Sequence, residues 1–109
     1  MNLQIRAKDI TLTDATRAHL ESAVEAFTKY SLDITSINCI VAKEKKGVMV
    51  EFDIKIAHAS PVVITQHDDV LDAAIDLAID KGNKALRRLH DKVTSHKATS
   101  IKELETLES

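Results

Sequence analysis

Two alternating apolar runs on either side of a short turn constrain this chain more than anything else in it. Ile37, Cys39 and Val41 recur at every second position and lead to Lys43. Lys45-Lys46-Gly47 follows, and a glycine behind two polar residues reads as a hairpin turn. Val48, Val50, Phe52, Ile54 and Ile56 then form one face of a long strand, with Met49, Glu51, Asp53 and Lys55 on the other. A period of two with one apolar face describes strands that bury one side and leave the other open. A hairpin of this kind requires other elements to cover its apolar face.

The flanking segments have the patterns to do so. Leu3, Ile5 and Ala7 alternate with Gln4, Arg6 and Lys8, which predicts a half-buried first strand. Thr13 is placed to cap a helix running to about Tyr30, and Asp14 suits its positive end. Leu20, Ala23, Val24 and Phe27 recur in it at helical spacing. His58-Ala59-Ser60-Pro61 turns the chain after the long strand, and Pro61 opens a fourth strand over residues 62–65. Asp68-Asp69 is predicted to start a second helix that ends near Ser95, with Ile75, Ile79, Gly82, Leu86, Leu89 and Val93 along its apolar line. The expected class is α+β. The order β-α-β-β-β-α folds most economically as a two-layer sandwich, a four-stranded sheet with both helices on one face. Residues 1–97 make one domain. Residues 98–109 are expected to be a short, acidic, flexible tail, with Glu103, Glu105 and Glu108 against Lys102.

Composition removes several classes of function. The chain has 109 residues, with 15 Lys+Arg against 17 Asp+Glu. That balance argues against indiscriminate coating of nucleic acid. One Tyr, two Phe and no Trp leave few rings for stacking on single strands. The single cysteine, Cys39, lies in an apolar strand pattern and fits a core position in a reducing, cytoplasmic setting. The start of the chain has no signal-peptide apolar block, and no apolar run is long enough for a bilayer. With two glycines there is no phosphate-loop pattern, and no zinc-type spacing occurs. His58, His67, Asp68 and Asp69 offer an alternative reading as a metal or acid–base set, but residues of these types in nearby loops are more often a turn and a helix cap. No enzyme activity, metal, cofactor, membrane or small-molecule substrate is expected.

Charge is sorted along the second helix. From Lys81 to Lys97 it carries Lys81, Lys84, Arg87, Arg88, Lys92 and Lys97 against one acid, Asp91. On a wheel of about 100° per residue, Lys81, Lys84, Arg88 and Lys92 share an arc of roughly 80° opposite the apolar line. Arg87 falls apart from them, nearer Asp76, Asp80 and Asp91, and reads as a surface ion-pair partner. The plain interpretation is dipole matching, because Asp68, Asp69, Asp72, Asp76 and Asp80 crowd the other half of the helix. A concentrated basic face on a near-neutral protein is also a candidate polyanion-binding surface. Lys43, Lys45 and Lys46 in the hairpin, and Arg6 and Lys8 in the first strand, are further cations that would enlarge it if they met it.

The order and spacing of these segments resemble the ribosome hibernation promoting factor family, in particular its short members of the ribosome-associated inhibitor A type. The residues that carry the resemblance are Thr11-Leu12-Thr13-Asp14-Ala15-Thr16-Arg17-Ala18-His19-Leu20, Phe27-Thr28-Lys29-Tyr30, Ala74-Ile75-Asp76, Ile79-Asp80-Lys81 with Leu86, Arg88 and Lys92, and Ala98-Thr99-Ser100-Ile101-Lys102. Val70-Leu71-Asp72 stands where the family commonly has Asp-Met-Tyr, Gly82 replaces a usual leucine, and Lys84 stands where arginine is frequent. The resemblance implies a fold like that of double-stranded RNA-binding domains. It implies a translation inhibitor of stress or stationary phase that binds the small ribosomal subunit at the decoding region and blocks tRNA and mRNA. The ribosomal RNA contacts would then fall on Lys81, Lys84, Arg88 and Lys92, with Arg87 and the hairpin's Lys43, Lys45 and Lys46 beside them. The chain is expected to lack the C-terminal domain by which long members pair ribosomes, and to be monomeric off the ribosome. A generic binder of structured RNA, unconnected with hibernation, is the alternative.

Overall fold

The hairpin forms around a two-residue turn. Lys43 pairs with Val48 and Glu44 with Gly47, which leaves Lys45 and Lys46 at the bend. Gly47 has φ 141°, and a Cβ there would run into the backbone of Asp68 and Asp69, so only glycine fits. The computed structural model describes residues 2–98, with side chains through Lys92. Its elements are β1 (Asn2–Lys8), α1 (Asp14–Phe27) with a short 3-10 turn (Thr28–Tyr30), β2 (Ile34–Glu44), β3 (Gly47–Ile56), β4 (Val62–Asp68) and α2 (Leu71–Ala98). This is the expected β-α-β-β-β-α order.

The sheet order is β1-β2-β3-β4. β1 joins β2 in parallel, with α1 as the crossover that parallel neighbours need, and the other pairs are antiparallel. The register aligns apolar rows across all strands. One row is Leu3–Ile37–Ile54–Val62 and the next is Ile5–Cys39–Phe52–Ile64. Both helices cover this face, contributing Leu20, Val24 and Phe27 from α1 and Ala74, Ile75, Ala78 and Leu86 from α2 to one core. The Phe27 and Phe52 rings meet edge to face, 5.3 Å between centroids. Gln4, Arg6 and Lys8 alternate out of the core rows and lie on the bare face of the sheet.

Local signals hold at the first helix. Thr13 is its N-cap, and its hydroxyl accepts the Thr16 N–H at 3.1 Å. The second helix starts later than predicted. Antiparallel pairing with β3 extends β4 through Asp68, opposite Val48, rather than ending it at residue 65. An Asp68 carboxylate oxygen then accepts the Val70 N–H at 3.0 Å, and the Val70 carbonyl accepts the Ala74 N–H at 3.0 Å. Val70 therefore occupies the N-cap of α2, not either aspartate. The helix continues past Ser95 to Ala98. The remainder of the acidic tail, 99–109, lies outside the described residues.

Candidate nucleic-acid interface

Contacts with α1 fix how α2 is rotated. Its buried line is Ala74, Ile75, Ala78, Gly82 and Leu86. Gly82 lies against the buried Phe27 ring, at a spot where any Cβ would meet ring carbons. Beside it the Tyr30 hydroxyl donates to Asn83 Oδ1 at 3.1 Å, and His19 Nε2 lies 3.0 Å from Asp76 Oδ1. With that side turned inward, Lys81, Lys84, Arg87, Arg88 and Lys92 are all exposed.

The cations do not group as the wheel alone implied. Lys84 Nζ pairs with Asp80 Oδ2 at 3.0 Å, both ends largely exposed. Pairs of this kind are worth little. Arg87 makes no ion pair among the described residues. It instead lines a shallow recess with Lys84, Arg88 and Asp91. Positions i, i+3, i+4 and i+7 share one helix face, so the recess is a direct product of helical geometry. Arg87 thus borders two of the ridge cations and also Asp91, without forming an ion pair among the described residues.

The other candidate cations stay apart. Gly47 abuts Asp68 and Asp69, so the hairpin with Lys43, Lys45 and Lys46 sits at the N-terminal end of α2. At about 1.5 Å rise per residue, Lys84 lies roughly 20 Å and Lys92 roughly 30 Å along the axis from there. The acids Asp69, Asp72, Asp76 and Asp80, all exposed, occupy the interval. Arg6 and Lys8 face away on the bare side of the sheet, where Arg6 donates to Gln4 Oε1 at 3.1 Å. Among these candidates, the five α2 cations are the ones that share one exposed stretch of helix, with Asp80 and Asp91 at its side.

Strand geometry also separates the alternative ligand set. His58 sits in the turn before β4 and His67 near the end of that seven-residue strand, roughly 15–20 Å away. His67 Nδ1 lies 2.8 Å from Glu44 Oε1. Among the described residues no three His, Cys, Asp or Glu side chains are placed to hold a metal ion. Cys39 is fully buried, and desolvation pushes its thiol up to about 12. Among those residues, too, no helix is long and apolar enough to cross a membrane. Sequence reasoning noted Val70 only as a departure from the family pattern and passed over Leu77. Among the described residues they are two of the three large apolar side chains left exposed, at 58% and 42%. The wheel that places the cations opposite the apolar line places Leu77 there too, so its exposure was within reach of the sequence pattern.

A four-stranded sheet backed by two helices, one of them carrying an outward cationic ridge, defines a two-layer α+β domain with a basic helix face. The chain belongs to the sigma 54 modulation protein / S30EA ribosomal protein family, whose model matches residues 3–94. It is 29% identical over 92 residues to a ribosome hibernation promoting factor of Azotobacter vinelandii, covering 84% of this chain and 85% of that protein. Its fold resembles the N-terminal domain of Thermus thermophilus Protein Y, with TM-score 0.70, 23% identity and coverage of 82% of this chain and 99% of the other. It also resembles a ribosomal subunit interface protein from Coxiella burnetii, with TM-score 0.63, 19% identity and coverage of 91% and 100%.

Proposed function

We propose that this protein is a cytoplasmic, non-catalytic ribosome hibernation factor that binds the small subunit at the decoding region and blocks tRNA and mRNA there. The observation that carries the reading is the ridge itself. Five exposed cations sit on the outward side of one helix, whose rotation is fixed by Phe27, Tyr30 and His19, in a chain of net charge −2. Membership of a ribosomal protein family, and similarity to a relative named for ribosome hibernation, supply the partner. Lys81, Lys84, Arg87, Arg88 and Lys92 then neutralise phosphates of ribosomal RNA and release counterions. A face of this kind recognises backbone and shape in the first place.

The test is sedimentation of ribosomes from starved cells. The wild-type protein should travel with small subunits and whole ribosomes and be released by high salt. Replacing Lys84, Arg88 and Lys92 together by Glu should remove it from those fractions, with a melting curve within about 0.5 kcal/mol of wild type because the side chains are exposed. If the variant still sediments with ribosomes, the ridge is not the contact. If the wild-type protein binds structured RNA yet stays at the top of the gradient, the generic RNA-binding reading takes its place.

A further inference from the structure

The cations of α2 do not all stand on one line, and Arg87 leans to the side that meets α1. His19 reaches Asp76 and Tyr30 reaches Asn83, so those two positions mark the flank of α2 that faces α1. Counted from Ile75, Asn83 falls at roughly 80°, Asp76 at roughly 100°, Arg87 at roughly 120° and Lys84 at roughly 180°. Arg87 therefore stands on the shoulder between the outward ridge and α1, one turn beyond Asn83. The first helix brings a cation to the same shoulder. Lys29 lies in the 3-10 turn that continues α1, immediately before Tyr30. Two residues on from the buried Phe27, it falls roughly 180–220° from Leu20, on the outward side. It is exposed and makes no ion pair among the described residues, although Glu25 is one turn behind it. A lysine in a last helical turn also suits the negative helix end, and that role asks for no ligand.

We propose that Lys29 is a further RNA contact, and that the RNA backbone crosses from the ridge over Arg87 to α1 instead of following α2 towards its N-terminus. This rests on the reading of the ridge as an RNA contact and gives the path that the RNA takes from it. Along α2 the way is closed by charge. Asp80, Asp76, Asp72 and Asp69 are all exposed before the ridge and repel phosphate. Asp91, one turn beyond Arg87, bounds the crossing on the other side. Between these acids the groove separating the two helices has a cation on each bank. Packed helices lie about 8–10 Å apart, and both side chains are long and flexible, so one phosphate above the groove is within reach of Lys29 and Arg87 together. Arg87 is about 6 Å along the axis from Asn83, the level at which Tyr30 holds the end of α1. The Tyr30–Asn83 hydrogen bond thereby sets how far apart the two cations stand.

The test is the salt dependence of binding to a short structured RNA, read by fluorescence anisotropy. Lys29→Gln should flatten the slope of log K against log salt by about 0.7–0.9 and weaken binding about five- to eightfold at 0.1 M salt, the share of one phosphate contact. Lys29→Arg should keep the wild-type slope. Lys55→Gln is the control, because Lys55 is an exposed cation on the bare face of the sheet and its loss changes net charge equally. It should leave the slope as it is. An unchanged slope in Lys29→Gln, while Lys84→Glu with Arg88→Glu flattens it, overturns the crossing and leaves the ridge standing. Equal flattening by Lys29→Gln and Lys55→Gln would mean that only net charge is felt, and overturns the crossing too. A lower melting temperature in Lys29→Gln with an unchanged slope assigns Lys29 to the helix end and has the same consequence. A slope that Lys84→Glu with Arg88→Glu does not move overturns the ridge itself.

Discussion

Gly82 is the residue that ties the second helix to the first. Glycine inside a helix costs about 1 kcal/mol relative to alanine, so Gly82→Ala would stabilise an isolated helix. Here a Cβ would lie 2.7 Å from Phe27 Cζ, and that ring is fully buried against Phe52. Overpacking of a rigid core costs about 1–3 kcal/mol and outweighs the propensity gain. Gly82→Ala should therefore lower stability by about 1–2 kcal/mol in urea denaturation. Cys39 gives a second expectation at this scale. Burial raises its thiol from the ordinary 9.0 to about 12. Below pH 9 the thiol is neutral in both folded and unfolded chains. As pH rises from there towards 12 the unfolded chain releases a proton that the folded one keeps, so stability falls. Native protein should resist thiol alkylation, and Cys39→Ala should lose less stability than wild type between pH 9 and 11.

At the scale of elements, α2 is poorly capped and its cap is exposed. Val70→Asp should raise stability by about 0.5–1 kcal/mol, because the new carboxylate can accept an orphan N–H of the first turn and suits the positive helix end. Urea denaturation of the variant against wild type measures that gain. The start of this helix also shows where the sequence was legible. The Thr13 cap, the Lys45-Lys46 bend and the alternation of β3 are local, set by residues within a few positions of one another. The first turn of α2 was misread because Asp68 is claimed by strand pairing with Val48, twenty residues earlier in the chain. The parallel join of β1 to β2 likewise depends on partners outside the local window. The ridge was readable from helical period alone, and so was the exposure of Leu77, which the same wheel puts on the outward side; the contacts of α2 with Phe27 and Tyr30, from the other helix, were not.

The whole molecule separates two basic clusters that composition would merge. The hairpin lysines sit beside Asp68 and Asp69, and the ridge begins roughly 20 Å further along α2, beyond an interval of exposed aspartates. That separation is about two Debye lengths at physiological salt, so Lys45 and Lys46 add little to the potential over Arg88. Asp69, Asp72 and Asp76 lie between and oppose any strand that would run straight from one cluster to the other. One rigid stretch of RNA held on the ridge should therefore not count the hairpin among its contacts. Lys45→Glu with Lys46→Glu makes the same change in net charge as Lys84→Glu with Arg88→Glu. If net charge governed binding, the two pairs would weaken it alike. Placement predicts that the hairpin pair lowers affinity for a short RNA less than about threefold and leaves the salt slope nearly unchanged, while the ridge pair flattens it by about two units. Matched losses from the two pairs would mean that the protein is read as a diffuse charge, and that the order of residues on α2 has no part in recognition.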